Sequence, residues 1–273
     1  MRHEEAVARY LAGMSTGVEI GAFLTPIPGI SPIHVEKFES YANVKCKADL
    51  FGEATDLPFN DGTLDYVASS HVLEHVANPV AALREWTRVL RHQGIIYLVV
   101  PDSRYTWDIG RKVTAVEHML EDYRRGVTAS DSTHIDDFVF NVDWSTFAPD
   151  LPPERVPEEQ RAAAERYHAS VKANLEINIH FHVFRPDSVR ELLFRASESG
   201  YLYGEIEVVE IAERFPEGNP NGILAVARVK KPFLSRFFRK EKPLLKDTFR
   251  HFPGGRYDPS IGDRGSVRPT RRS

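Results

Sequence analysis

The chain has 273 residues, a formal net charge of −4, 42% hydrophobic and 27% charged residues, and a mean hydropathy of −0.35. That length allows one large domain with an insertion, or two small ones, and the composition excludes disordered, collagen-like and coiled-coil classes. The longest apolar run, Ile95 to Pro101, is far short of the roughly 20 residues a membrane-spanning helix needs, so no membrane span is expected. The first residues carry no apolar leader, and the single cysteine, Cys46, can form neither an intrachain disulfide nor a thiolate metal cage. A cytoplasmic protein held together by packing is the expectation.

In chain order, Arg2 to Met14 reads as an amphipathic helix with Ala6, Tyr10 and Leu11 at helical spacing. Short apolar runs follow at Val18–Ile20, Ile33–Val35, Val44–Ala48, Leu64–Ala68 and Gly94–Val100, each read as a strand. Between the last two, Pro79 to Arg91 places Val80, Leu83, Trp86, Val89 and Leu90 on one face, a helix crossing a parallel sheet. The helix before Val44 is short or missing, because Lys37 to Asn43 is little more than one turn. Residues 103–178 break the pattern. A helix over Arg111–Arg125, a polar and aromatic stretch through Pro157 and a helix from Glu158 to Ala173 form an insertion of the kind that shapes a substrate site. The sheet pattern resumes at His180-Phe-His182-Val, followed by a helix over Pro186–Ser199 and two closing strands, Gly204–Ile211 and Gly222–Val229, read as an antiparallel hairpin.

The expected fold is α/β, a Rossmann-like doubly wound sheet of seven strands, mostly parallel, with a C-terminal antiparallel hairpin and a helical lid. Residues 1–231 make the domain and 232–273 a basic tail. That tail carries eleven Lys or Arg against four acids, a net +7, which leaves −11 on the first 231 residues from the total of −4. An acidic body with a basic tail is a poor nucleic-acid platform, since phosphate binding wants cations over a folded face.

The chemistry starts at Val18-Glu19-Ile20-Gly21-Ala22-Phe23, where a strand ends in an acid and a glycine that lets backbone approach a ligand. The missing Gly-Lys-Ser/Thr disfavours a phosphate loop, and Phe23 stands where a dinucleotide fingerprint has its second glycine. The second strand ends in Glu36, placed for a ribose diol. Then come Gly52-Glu53-Ala54-Thr55-Asp56-Leu57-Pro58-Phe59 and Ser69-Ser70-His71-Val72-Leu73-Glu74-His75.

This ordered series, from Gly17 to Pro101, resembles the class I S-adenosylmethionine-dependent methyltransferases, in the subgroup with an acid-Ala-x-x-Leu-Pro-Phe segment followed by Val-Leu-Glu-His. The resemblance implies S-adenosyl-L-methionine as cofactor. Glu19 would face the methionine ammonium directly or through water, and Gly21, Ala22 and Phe23 would line the turn. Glu36 would accept both ribose hydroxyls, Glu53 the adenine amino group, and the Ala54 amide would meet a ring nitrogen. Ser69, Ser70 and His71 would border the methionine part. Leu57, Pro58 and Phe59 are read as packing, and Glu74 and His75 as a structural pair. Phe23 and Glu53 depart from the glycine and aspartate usual in the family.

Methyl transfer asks the protein for in-line placement and, with a hydroxyl acceptor, a base, for which histidine is the usual choice. His118, His134 and His182 are the candidates, His118 and His134 ranked first, with Asp102 at the end of the fifth strand. Thr114, His118 and Asp122 fall at i, i+4 and i+8 on one expected helix face. Beside them Tyr105, Trp107, Arg111 and His180 suit a carbohydrate acceptor, whose C–H surfaces pack on aromatic rings. His134, Asp136 and Asp137 with Asp102 or Asp122 would make an oxygen-rich set for Mg²⁺, without metal-specific spacing. The segment from Val99 to Asp122 resembles a branch of the family met in bacterial surface-glycan and polysaccharide assembly, which implies methylation of a sugar hydroxyl, such as the 1-hydroxyl of a mannoside. A hydrophobic acceptor such as a quinone or lipid, and a non-catalytic cofactor-binding interaction protein, remain as alternatives.

Overall fold

The structure, a computed structural model, describes residues 1–41 and 44–232. The expected basic tail, with Phe233, Phe237, Phe238, Leu244 and Leu245, lies outside the described residues apart from Pro232.

Seven strands form one sheet: β1 (Gly17–Ile20), β2 (Ile33–Glu36), β3 (Leu50–Phe51), β4 (Leu64–Ser70), β5 (Leu90–Pro101), β6 (Glu205–Phe215) and β7 (Gly222–Lys230). Their order is β3-β2-β1-β4-β5-β7-β6. The first five run parallel, and β7 lies antiparallel between β5 and β6. This is the expected Rossmann-like sheet, mostly parallel with an antiparallel end. The order reverses between β1 and β4, and at such a switch point the carboxyl ends of the strands open a crevice. Ile20 stands opposite both Val35 and Ser69, so β1, β2 and β4 deliver their next residues to one edge.

The helices are α1 (His3–Tyr10), α2 (Pro79–Val89), α3 (Val116–Arg125), α4 (Ile135–Asn141), α5 (Trp144–Phe147), α6 (Val156–Lys172) and α7 (Pro186–Glu198). Asn78 starts α2 by accepting the Ala81 N–H at 3.0 Å, with Pro79 in the first turn where no N–H is needed. One sheet face, carrying Val18, Val35, Val67, Ile96 and Leu98, packs on Leu83 and Trp86 of α2, Met119 of α3 and Leu192 of α7. The other, with Tyr66, Tyr97 and Leu224, is covered by Ala6, Val7 and Leu11 of α1 and by Ile27. A third core inside the insertion joins Ile135, Phe138, Val139, Trp144, Tyr167, Ile179 and Phe181.

Several expected elements shift. The third sheet strand is Leu50–Phe51, not Val44–Ala48; Val44–Lys45 pairs instead with Ser40–Tyr41 in a small hairpin. Among the described residues the connections from β1 to β2 and from β2 to β3 carry no helix, so α2 is the one helical crossover between parallel strands there. The helix expected from Arg111 begins only at Val116, which leaves Thr114 off its face; the Thr114 hydroxyl instead accepts the Val183 N–H at 2.9 Å. His180–Val183 is irregular chain rather than a strand, and α4 and α5 lie within the polar and aromatic stretch to which no helix was assigned.

Asp65 anchors the chain entering β1. Its Oδ2 accepts the Ser15 and Thr16 N–H groups at 2.8 and 3.0 Å, and Arg91 lies 2.7 Å from Oδ1. Burial alone would raise its pKa, but these hydrogen bonds and Arg91 outweigh it and leave it lowered. A lowered carboxylate stabilises the fold above its unfolded value, about 3.9, and that contribution is lost as pH falls through the folded value. Urea unfolding between pH 7 and pH 3 is therefore expected to show a steeper acid loss for the wild type than for Asp65→Asn; parallel curves would refute the anchor.

Candidate functional site

The crevice is built at the ends of β1, β2 and β4. After Ile20, Gly21 turns with φ +69°, and a Cβ there would lie 2.4 Å from the Val72 side chain. Only glycine lets the turn and the β4 loop approach this closely. Phe23 also sits in the left-handed region, at φ 49°, the conformation for which a glycine would be usual. The reason is on β2: the Phe23 N–H donates to Glu36 Oε1 at 2.6 Å, and Glu36 is buried. Desolvation raises the Glu36 pKa against the pull of that hydrogen bond and of His34. Ala22 is buried beneath the turn.

Glu53 leaves the adjacent strand beside Glu36, because the Gly52 N–H donates to the Glu36 carbonyl at 3.0 Å. The loop it starts is held by α2: Trp86 Nε1 donates to the Ala54 carbonyl at 3.0 Å, Glu85 Oε1 accepts the Leu57 N–H at 2.7 Å, and Arg88 donates to the Leu57 carbonyl at 3.2 Å. Lys37 Nζ lies 3.4 Å from Glu53 Oε1 and 2.7 Å from Glu176 Oε2, tying this edge to the end of the insertion. At the end of β4 the Ser69 hydroxyl is buried without a hydrogen-bond partner among the described residues, and Ser70 is half-buried. Glu19 Oε1 accepts the Ile27 N–H at 2.8 Å and braces the loop after β1, while its Oε2, 3.6 Å from His34, is buried without a hydrogen-bond partner among the described residues.

His71 follows β4 in the left-handed region, φ 54°, with 37% of its side chain exposed. Its Nδ1 lies 3.5 Å from Oε1 of Glu74, which is fully buried. Burial would raise the Glu74 pKa, but contact with His71 and the charges of His75 and His180 leave it lowered. Glu74, read from sequence as merely structural, is thus a buried carboxylate behind an accessible imidazole. The spacing His-x-x-Glu at a helix start was the available signal.

The residues assigned to the acceptor fare unevenly. Tyr105 is exposed, with the Arg104 and Arg214 guanidinium groups 5.4 and 5.2 Å from its ring centre. Trp107 is half-buried against His180 and Phe147. Arg111 is shut away, its side chain spanning Asp108 and Asp137 at 2.8 Å each. His180 is buried, its Nδ1 2.6 Å from Asp108 Oδ2. Burial would lower its pKa, yet Asp108 and then Glu74 outweigh burial and leave it raised. Asp108, absent from the expected site, is the hub of this network; its i, i+3 spacing to Arg111 was legible. Asp102 is fully buried, its carboxylate bound by the Arg104 side chain at 2.6 to 3.2 Å and by the Arg104 N–H at 3.0 Å, so it caps its own turn.

His118, His134 and His182 converge on Asp122, with His118 Nε2 and His134 Nε2 2.9 Å apart. Desolvation, then the charge of His134, lowers the His182 pKa well below the usual value. The oxygen-rich Mg²⁺ set does not assemble: Asp136 pairs with His168 at 2.9 Å, Asp137 with Arg111, and Asp102 with Arg104.

Residues 34–98 match the family described as Methyltransferase domain. That segment runs from β2 into β5 of the Rossmann-like sheet. Among solved structures the chain is similar to S-adenosylmethionine-dependent methyltransferases of Thermotoga maritima, with 16% identity, 84% and 88% of the two chains covered and a TM-score of 0.44, and of Methanosarcina mazei, with 16% identity, 83% and 98% covered and a TM-score of 0.45. A 57-residue stretch is 42% identical to an uncharacterized 37.1 kDa protein in a transposon of Streptomyces fradiae, covering 21% of this chain and 15% of that protein. No helix among the described residues is long and apolar enough to cross a membrane.

S-adenosylmethionine is the cofactor this domain is expected to take, and the crevice fits it. A buried carboxylate stands at the end of β2, a positive-φ glycine turn lies beside it, and a buried serine hydroxyl without a partner among the described residues closes the β4 side.

Replacing Arg111 with methionine would leave Asp108 charged and buried with His180 alone. The expected cost is about 3–5 kcal/mol in urea unfolding, the usual penalty for removing one partner of a buried ion pair; a loss within experimental error would show that the pair contributes nothing.

Proposed function

We propose that the protein transfers a methyl group from S-adenosylmethionine to a hydroxyl of a saccharide acceptor. When bound, the cofactor supplies the electrophilic methyl on a sulfonium leaving group. Glu36, oriented by the Phe23 amide, would accept the ribose hydroxyls; Glu53 and the Ala54 amide would meet the adenine edge. Gly21, Ala22 and Phe23 would line the turn, and Ser69 and Ser70 would flank the methionine part.

The observation that carries the reading is His71 at the mouth of this crevice with Glu74 buried behind it. An imidazole with a buried carboxylate 3.5 Å from its Nδ1 has a neighbour that stabilises the cation formed on taking a hydroxyl's proton. His71 is preferred as the base over His118 and His134, whose Nε2 atoms face each other, and over the fully buried His182. Support for a sugar comes from Tyr105, an exposed ring rimmed by Arg104, Arg214 and Glu213, since aromatic faces cover sugar C–H surfaces while charged groups bind hydroxyls. The finer form of this reading is 1-O-methylation of a mannoside, by resemblance to the mycobacterial methylmannose polysaccharide 1-O-methyltransferase.

Calorimetric titration with S-adenosylhomocysteine tests the cofactor half. Glu36→Gln is expected to weaken binding roughly 10- to 100-fold, the loss of about 1.5–3 kcal/mol of charge-assisted hydrogen bonding; no binding by the wild type would overturn it. Mass spectrometry of defined mannosides and other glycans, scored for a gain of one CH2, tests the acceptor. His71→Ala should keep cofactor affinity while turnover falls ~10²–10⁴-fold, and unchanged turnover would remove His71 from the mechanism.

A further inference from the structure

The insertion contains a second polar cluster that methyl transfer does not use. His118 and Asp122 stand one turn apart on α3, His134 immediately precedes α4, and His182 lies on the chain between α6 and α7. Three separate segments therefore bring their side chains to one point. Asp122 Oδ2 lies 3.4 Å from His118 Nε2, 3.6 Å from His134 Nε2 and 3.9 Å from His182 Nε2. The rings meet edge to face rather than stacked, with interplanar angles of 67° to 83°.

Asp122 is 1% exposed, and neither of its carboxylate oxygens has a hydrogen-bond partner among the described residues. An ionised carboxylate left so is costly, and buried charges are ordinarily paired, hydrogen-bonded or bound to metal. A hydrogen-bonded His–Asp group would satisfy it only with a ring N–H at bonding distance, and none of the three distances is one. Two facing Nε2 atoms at 2.9 Å add a second constraint, because at most one can donate to the other.

A metal ion meets both constraints. Ligand atoms at about 2.0–2.2 Å from a tetrahedral Zn²⁺ lie roughly 3.4 Å from one another, and the separations among His118, Asp122 and His134, 2.9 to 3.6 Å, bracket that value. The Nδ1 of His134 lies 3.1 Å from the Thr133 hydroxyl, which in turn bonds Asp131, the kind of outer support that fixes a metal-binding imidazole. Imidazole with one carboxylate favours first-row transition ions over Mg²⁺. A neighbouring group, Glu74, His75 and His180, is also compact, but His180 there is bonded to Asp108 and Glu74 faces His71.

We propose that His118, Asp122 and His134, with a solvent molecule as the fourth ligand, bind a divalent transition metal that fastens the insertion to the sheet domain. Asp122 and His182 also touch the chain after β4: the Asn78 amide donates to the Asp122 carbonyl at 3.3 Å, and His182 Nε2 lies 3.3 Å from the Ala77 carbonyl. An ion there would join α3 to α4 beside the chain before α7 and the start of α2. The proposal does not depend on the methyltransferase reading.

Full-length protein stripped with chelator and dialysed is titrated with Zn²⁺ and separately with Co²⁺. The wild type should retain about one equivalent by elemental analysis, give the visible absorption of four-coordinate Co²⁺, and melt higher with metal than without. His118→Ala, at a residue 44% exposed, should fold, lose retained metal and lose the metal-dependent rise in melting temperature. Asp122→Asn should do likewise, while His168→Ala, on the exposed side of α6, should bind as the wild type does. Absence of a stoichiometric ion in the wild type, or undiminished binding in folded His118→Ala, would overturn the assignment.

Discussion

The hydrogen bond from the Phe23 amide to the Glu36 carboxylate, 2.6 Å long, is the contact on which the crevice depends. It joins the turn after β1 to the end of β2, and it explains why a bulky residue accepts φ 49°. Strain of this kind persists only where the surroundings over-determine it. Here they do: Gly21 is pressed on Val72, Glu36 is buried, and the Gly21 N–H donates to the Val35 carbonyl at 3.0 Å. A carboxylate acceptor is thereby fixed before any ligand arrives, at the level set by the register of β1, β2 and β4.

The opposite wall is fixed by other means. The loop from Glu53 to Asp61 has little regular structure, and it is held because α2 reaches it with polar side chains. Glu85 and Arg88 are both largely buried and bonded to each other at 2.6 Å, and they bind the Leu57 amide and carbonyl while Arg88 also pairs with Asp61. Buried charge is tolerated here because every partner is supplied, which substitutes for the ladder bonds the loop lacks. The two sides of the crevice therefore differ in kind: a backbone turn on one, a side-chain network on the other.

Much of this was legible. The sheet was readable because parallel strands buried on both faces appear as continuous apolar runs, as in Ile95 to Val100. The third strand was misplaced because Leu50–Phe51 is two residues long and exposed, and the apolar letters at Val44–Ala48 outweighed it. The turn and the acid of β2 were legible as residue types at strand ends. What composition could not show was pairing. Arg111, His180 and Asp102 look like ligand-binding groups until folding supplies each with a neighbour, and Asp108 became central only through a partner 72 residues away. Long-range ion pairs leave no periodic trace.

The chain at 179–183 carries that lesson furthest. As a strand, His180-x-His182 would aim both rings the same way; as irregular chain, held by the Phe181 N–H to the Glu74 carbonyl at 2.7 Å, it sends them into different company. His180 meets Asp108 and is pushed toward the charged form, while His182, buried beside other histidines, is pushed toward the neutral one. Two identical side chains two residues apart are thus biased in opposite directions. One pairs with a buried acid beside the crevice, and the other lies against the Ala77 carbonyl at 3.3 Å. The backbone between β4 and α2 runs past both, so the order of the insertion and the shape of the crevice are set by the same short segment.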